Sequence, residues 1–250
     1  MTEPVRHIER VDWSPRDDPP PDLEEWPFTI PAVAQLVAEG GLEIPAGVTF
    51  LIGENGSGKS TLVEALAAIY PRHGFVHPFA SKTGPGPSDE DSPLRWHLRA
   101  RTHRQASPAG FFLRSELMHG YLAGIVTSDA SASVWGKERL QARSHGESFL
   151  AVLGLRFTAV GVYLMDEPEA ALSFSSCLGL VSLLDQMRRE GSQVIVATHS
   201  PLLMSLPGAT LLEVGGWGIR RVESYDKVEL VRSWREFLEA PGRFLRHLVD

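Results

Sequence analysis

Residues 53–61 read Gly-Glu-Asn-Gly-Ser-Gly-Lys-Ser-Thr, between the apolar run Val48-Thr49-Phe50-Leu51-Ile52 and the helix-forming stretch Leu62-Val63-Glu64-Ala65-Leu66-Ala67-Ala68-Ile69. A strand, a glycine loop and a helix in that order build a cradle for the phosphates of a nucleoside triphosphate. Gly53, Gly56 and Gly58 let the backbone take angles closed to other residues. The amides of the loop, through Glu54, Asn55 and Ser57, then crowd onto phosphate oxygens at a helix N-terminus. Lys59 reaches the β- and γ-phosphates, Ser60 offers a hydroxyl to a magnesium ion, and Thr61 adds a phosphate contact one step along. The alternative is a glycine turn that binds nothing, and the complete pattern in its strand-to-helix setting argues against it.

A second segment supplies acids. Val160-Gly161-Val162-Tyr163-Leu164-Met165 is an apolar run ending in Asp166-Glu167-Pro168, the pattern of a buried parallel strand that delivers carboxylates at its C-terminal end. Ligands of open α/β sheets bind at that end. Asp166 is expected to hold the metal through water, and Glu167 to polarise an attacking water as general base. A pair of acids capping the next helix is the plainer alternative. A third run, Val194-Ile195-Val196-Ala197-Thr198, ends at His199-Ser200-Pro201. Thirty-two residues separate Glu167 from His199, room for one helix over about 170–190 and a return to an adjacent parallel strand. His199 then stands beside the γ-phosphate.

With these three segments in order, the chain resembles the ATP-binding-cassette (ABC) ATPase superfamily over most of its length. Arg143-Ser144-His145-Gly146-Glu147 stands nineteen residues before Asp166, where that family carries its Leu-Ser-Gly-Gly-Gln/Glu signature. Ser144, Gly146 and Glu147 match it; Arg143 and His145 depart from it. The segments around Ser144–Leu150 and Asp166–Ser173 are similar to those of small stand-alone bacterial ATPases, nearer to recombination and chromosome-maintenance ATPases than to transporter cassettes. The resemblance implies an α/β P-loop NTPase with an ABC-type core, a mixed sheet and a small helical subdomain insert. It also implies a homodimer in which Ser144 and Gly146 of one copy close over ATP held by the other. Read from the residues alone, Ser144 and Glu147 form a Ser-x-x-Glu capping box on a helix starting near Ser148, and a capped helix start is also an anion site. Ser173 stands where the family has its D-loop aspartate. Glu116, after the strand-like Gly110–Arg114, is the candidate for the Q-loop position. Trp26 and Phe28 are candidates to stack on adenine, with core packing as the alternative.

Composition sets the frame. A chain of 250 residues with 43% hydrophobic and 22% charged content suits one well-buried α/β core with a smaller lobe, or two small domains. A single cysteine, Cys177, forms no intrachain disulfide and is expected to pack as a small apolar residue. Neither a leader-like segment nor an apolar run of membrane-spanning length occurs, so a cytoplasmic protein without direct membrane insertion is expected. The net charge of −7 does not draw the whole chain to nucleic acid. Arg95, His97, Arg99, Arg101, His103 and Arg104 form a local basic cluster. It reads first as a solvated helical face paired with Asp89, Glu90 and Asp91, and second as a contact for nucleic acid or an acidic partner.

Residues 1–25, with Pro19-Pro20-Pro21 and alternating charges, read as an extended arm. Residues 26–250 read as the ATPase domain, with core 26–84 and 144–250 and the helical insert at about 85–143. The insert lacks heptads, which argues against long coiled-coil arms. Strands over 209–214 and 218–222 flank Gly215-Gly216 as a hairpin. A final helix over 228–238 carries an aromatic stripe expected to face the core. The functions left in contention are a mechanochemical ATPase of DNA maintenance or defence with an unidentified protein partner, a transporter's ATPase subunit, and a small-molecule P-loop kinase.

Overall fold

The structure, a computed structural model, describes residues 5–15, 20–70, 93–114, 150, 153–154, 159–170, 172–246 and 248. Its centre is a six-stranded sheet. The strands in spatial order are β5 (Gly110–Arg114), β6 (Val162–Asp166), β7 (Gln193–Thr198), β3 (Val48–Ile52), β8 (Thr210–Gly215) and β9 (Gly218–Val222). All neighbours are parallel except β8 and β9, which form the expected hairpin, so the sheet is mixed. The inner strands are apolar on both faces because both faces are covered. On one side Phe50, Ile52, Tyr163, Met165, Val194 and Val196 pack against the helix α3 (Phe174–Arg189), which contributes Cys177, Leu180 and Leu184. On the other, Leu51, Leu164, Ile195 and Leu212 meet α1 (Pro31–Ala38) and α2 (Lys59–Ile69).

A smaller antiparallel sheet, β2 (Gly41–Glu43), β1 (Ile8–Trp13) and β4 (Leu98–Thr102), covers the α2 side. Two polar side chains fasten it to the main sheet. Gln193 is fully buried at the start of β7; its Oε1 accepts from the Ile8 amide at 2.7 Å, and its Nε2 donates to the carbonyls of Ile8 (3.0 Å) and Pro45 (2.8 Å). An amide carries one acceptor and one donor group, so a single residue satisfies three backbone groups of this seam. His7 accepts the Ser107 amide at Nδ1 (3.1 Å), which leaves Nε2 to donate to the Gly191 carbonyl at 3.0 Å.

The architecture differs from the sequence reading at four places. Residues 1–25 are not merely an arm, because β1 buries Ile8 and Val11 in the core. A bulge between Ile8 and Arg10 turns two residues spaced by three onto the same face, which hides the strand's period of two. Residues 93–114, expected within the insert, supply a 3₁₀ turn (Pro93–His97), β4 and β5 to the two sheets, and residues 115–143 lie outside the described residues. The basic cluster is accordingly not a helical face. Arg95 and His97 lie in the 3₁₀ turn, Arg99 and Arg101 alternate along β4 with a strand's period, and His103 follows the strand. His97 turns inward against Trp13 and Phe28, and Arg101 pairs with Asp12 at 3.0 Å. The final helix, α4 (Glu229–Glu239), buries Val231 but leaves Trp234 and Leu238 exposed; Trp234 and Phe244 of α5 (Pro241–Leu245) stack edge-on against Phe237.

The seam makes a direct prediction. Gln193→Ala strands the Ile8 amide and two carbonyls, so urea unfolding monitored by circular dichroism should show a loss of about 2–5 kcal/mol. An unchanged midpoint would show that the seam is held elsewhere.

Candidate nucleotide site

The loop between β3 and α2 is built around its three glycines, and each is needed for a different reason. A Cβ on Gly53 would lie 2.1 Å from the Val214 carbonyl oxygen of β8, so space alone requires glycine there. Gly56 is unobstructed but has φ 79°, and Gly58 combines φ 100° with only 2.5 Å to the Ile30 side chain. α2 starts directly behind the loop at Lys59, and its first intrahelical bond runs from the Leu62 amide to the Gly58 carbonyl. The amides of Gly58, Lys59, Ser60 and Thr61 therefore stand at the open, positive end of the helix. Ser57 adds a buried hydroxyl with no hydrogen-bond partner.

Lys59 is buried, and its Nζ donates into the loop, to the carbonyls of Gly53 (2.9 Å) and Glu54 (2.8 Å). Burial pushes its pKa below the ordinary lysine value, opposed by the charges of Glu167, Asp166 and Glu169. Ser60 donates from Oγ to Asp166 Oδ1 at 3.0 Å. Burial raises the Asp166 carboxyl above its usual range. The Ser60 bond counters this, Glu167 adds to it, and Arg114 and Lys59 counter it in turn. Arg114 is the residue beside Asp166 in the β5–β6 register and pairs with Glu64 of α2 at 2.7 Å.

Glu167 comes directly after β6 with φ 49°, a left-handed conformation unusual for a residue with a side chain. Its amide donates to the Ala197 carbonyl at 2.9 Å, extending the β6–β7 ladder by one step. The side chain then meets His199, Nε2 to Oε1 at 3.0 Å, with each side chain about a third exposed. An ionised carboxylate only accepts, so the imidazole proton of this bond sits on Nε2. Glu169 closes the same corner: its Oε1 accepts from Thr198 Oγ1 (2.5 Å) and from the His199 amide (2.7 Å).

The structure thus brings Gly53, Glu54, Asn55, Gly56, Ser57, Gly58, Lys59, Ser60, Thr61, Asp166, Glu167 and His199 to one edge of the sheet. Ser144, Gly146, Glu147 and Glu116 lie outside the described residues. Glu169 and Arg114 escaped the sequence reading. An acid three residues past a strand end looks like a turn residue, and Arg114 is a neighbour of Asp166 only through strand pairing. Ser173 caps α3 by accepting the Ser176 amide at 3.3 Å. Phe28 is core, packed on Trp13 and His97, whereas Trp26 is exposed. Beside the loop opens a cleft of about 570 Å³, lined by Glu54, Asn55, Gly56, His199, Glu213 and Trp217 among others.

Residues 144–205 match the family described as AAA domain, putative AbiEii toxin, Type IV TA system. The chain is similar to the ribose import ATP-binding protein RbsA of Jannaschia sp. (strain CCS1), 30% identical over 74% of this chain and 39% of that protein. It is also similar to the cytochrome c biogenesis ATP-binding export protein CcmA of Paramagnetospirillum magneticum (strain ATCC 700264 / AMB-1), 28% identical over 69% of this chain and 83% of the relative. Among solved structures, an Smc head bound to the C-winged helix domain of ScpA aligns with 86% of this chain and 97% of its own at 14% identity, TM-score 0.46. The chain spans well under half the length of the ribose protein.

The raised Asp166 pKa fixes a sign. The folded state holds this proton more tightly than the unfolded chain, whose reference value is 3.8. The stability linked to it is therefore complete below that value and is lost as pH rises through the folded pKa. Asp166→Asn mimics the protonated form and keeps an oxygen for Ser60. Without added divalent metal it should raise the urea midpoint at pH 7, and the gain should shrink toward pH 3; an equal effect at both pH values would contradict the burial argument.

Proposed function

We propose that this chain, an ABC-type ATPase, hydrolyses ATP between two copies of itself, gripped by the loop of one and covered by Ser144 and Gly146 of the other. The observation that carries this reading is the convergence on one sheet edge of a lysine-filled phosphate loop, the Ser60–Asp166 pair and the Glu167–His199 pair. Triphosphate oxygens replace the Gly53 and Glu54 carbonyls as partners of the Lys59 ammonium, while the loop and helix amides and the Ser57 hydroxyl donate to the remaining oxygens. Ser60 Oγ and Asp166 Oδ1 suit magnesium: they are adjacent hard oxygen donors, and no cluster of three acid, imidazole or thiol groups built to cage a metal occurs among the described residues. When bound there, magnesium neutralises phosphate charge. Glu167 takes a proton from the attacking water, and His199, released from Glu167, turns its Nε2–H to the γ-phosphate. Both side chains are partly open to solvent in one copy, and a second copy would shut out bulk solvent while retaining the attacking water.

The biological setting we favour is DNA maintenance or defence. It is supported by the description of the matched family and by the motif resemblance of the acidic strand. The names of the curated relatives, import and export ATP-binding proteins, support a second reading as the ATPase subunit of a transporter with a separate membrane partner. No described helix is long and apolar enough to cross a membrane.

Glu167→Gln keeps the bond to His199 but removes the base. Steady-state phosphate release should fall by about 10²–10⁴-fold, with ATP affinity by fluorescent-nucleotide titration retained. Light scattering should then show an ATP-dependent dimer. A variant with parental turnover would strip Glu167 of its role, and parental chain whose specific activity survives dilution as a monomer would exclude the sandwich. Capture on the trapped variant separates the two settings, since a multi-span protein and a nucleic acid are different catches.

A further inference from the structure

Glu169 takes no part in the reaction outlined above, yet it is tied to both halves of the hydrolytic corner. It lies in the turn after β6, where the Ala170 amide donates to the Glu167 carbonyl (3.0 Å) and the Leu172 amide to the Glu169 carbonyl (2.9 Å). One carboxylate oxygen, Oε1, receives the Thr198 hydroxyl at 2.5 Å and the His199 amide at 2.7 Å. The same Thr198 oxygen accepts the Ser200 amide at 2.9 Å, so the backbone is fastened on both sides of His199. Thr198 is fully buried, and the second oxygen of Glu169 is buried with no hydrogen-bond partner. Serving as a turn residue does not require a carboxylate whose one oxygen carries two short bonds while the other has none. Hydrogen bonds to an ionised oxygen are shorter and stronger than neutral ones, and these two converge on the last residues of β7.

We propose that Glu169 is a positioning residue for hydrolysis: its Oε1 locks the end of β7 to the turn carrying Glu167 and so sets the imidazole of His199 at hydrogen-bond distance from that carboxylate. The lock acts through the backbone and leaves the His199 ring free to turn from Glu167 to substrate. Glu169 touches neither reacting atoms nor the phosphate loop by hydrogen bond, so its loss acts on the rate of the chemical step rather than on nucleotide capture. The inference rests on the reading of Glu167 and His199 as the hydrolytic pair.

The test uses the full chain carrying Glu169→Ala, Glu169→Gln, His199→Ala and the double variant Glu169→Ala/His199→Ala, with thermal melting to confirm folding. Glu169→Ala should lower kcat about 10–100-fold, the scale of a misplacement near 1 Å, with fluorescent-ATP affinity held within about threefold. Glu169→Gln keeps an acceptor oxygen and should recover most of that loss. The double variant should be no slower than His199→Ala, because a residue acting only through His199 has nothing left to position. Losses that multiply in the double variant, a parental kcat in Glu169→Ala, or equal falls in affinity and rate would each overturn the proposal. If Glu169→Ala does not fold, Thr198→Val, which removes the other half of the lock, carries the same arms. Parental turnover in His199→Ala overturns the hydrolytic pair and this inference with it; a slow His199→Ala beside an unaffected or additive Glu169→Ala overturns this inference alone.

Discussion

Parallel pairing of β6, β7 and β3 in one register is the constraint on which the site depends. Ile52 lies opposite Thr198, and Asp166 opposite Ala197. The three strands therefore end within one residue of each other, and the segments next to them in sequence are delivered to the same edge. Those segments are the glycine loop, the Glu167 turn and His199. A slip of one residue in any pair would turn that strand's side chains to the opposite face and carry its terminal group to the wrong side of the sheet. The largely apolar, buried strands guard against this with cores on both faces, so the positional accuracy of the polar edge is supplied mainly by hydrophobic packing well away from it.

That edge concentrates negative charge. Asp166, Glu167 and Glu169 fall within four residues, and all three act on the Lys59 ammonium. Burial disfavours both the aspartate and the ammonium in their charged forms, so each depends on the other's field. In the structure this tension is held by local bonds: Lys59 on loop carbonyls, Asp166 on the Ser60 hydroxyl, Glu169 on Thr198 and the His199 amide. Each of these hydrogen bonds is exchangeable, so a ligand carrying both phosphate and a divalent cation, as in the proposed reaction, would supply what each partner lacks.

Local sequence makes the phosphate loop, the two strand ends and the β8–β9 hairpin readable, because each is a contiguous segment with its own chemistry: glycines before Lys59, acids after Met165, glycines at 215 and 216. The small sheet is not readable in this way. Its strand β1 is disguised by a bulge and by Glu9, Arg10 and Asp12, and β4 presents its basic residues at alternate positions that pass locally for a charged helix. Arg114 and Glu169 depend on partners 50 and about 30 residues away, so no local pattern announces them. The stripe on α4 misleads in the other direction, since amphipathic spacing marks a face without saying that anything covers it; in this helix Val231 alone is buried.

The contact between Gly53 and the Val214 carbonyl has a mechanical side. With no room for even a methyl group, β8 is a backstop: the loop has open space on its cleft side but none toward the sheet at Gly53. Adjustments on binding are thus one-sided. The β8–β9 hairpin, to which α4 is joined where the Glu229 amide donates to Glu213 Oε1 at 2.7 Å, stands directly behind the backbone of the glycine loop.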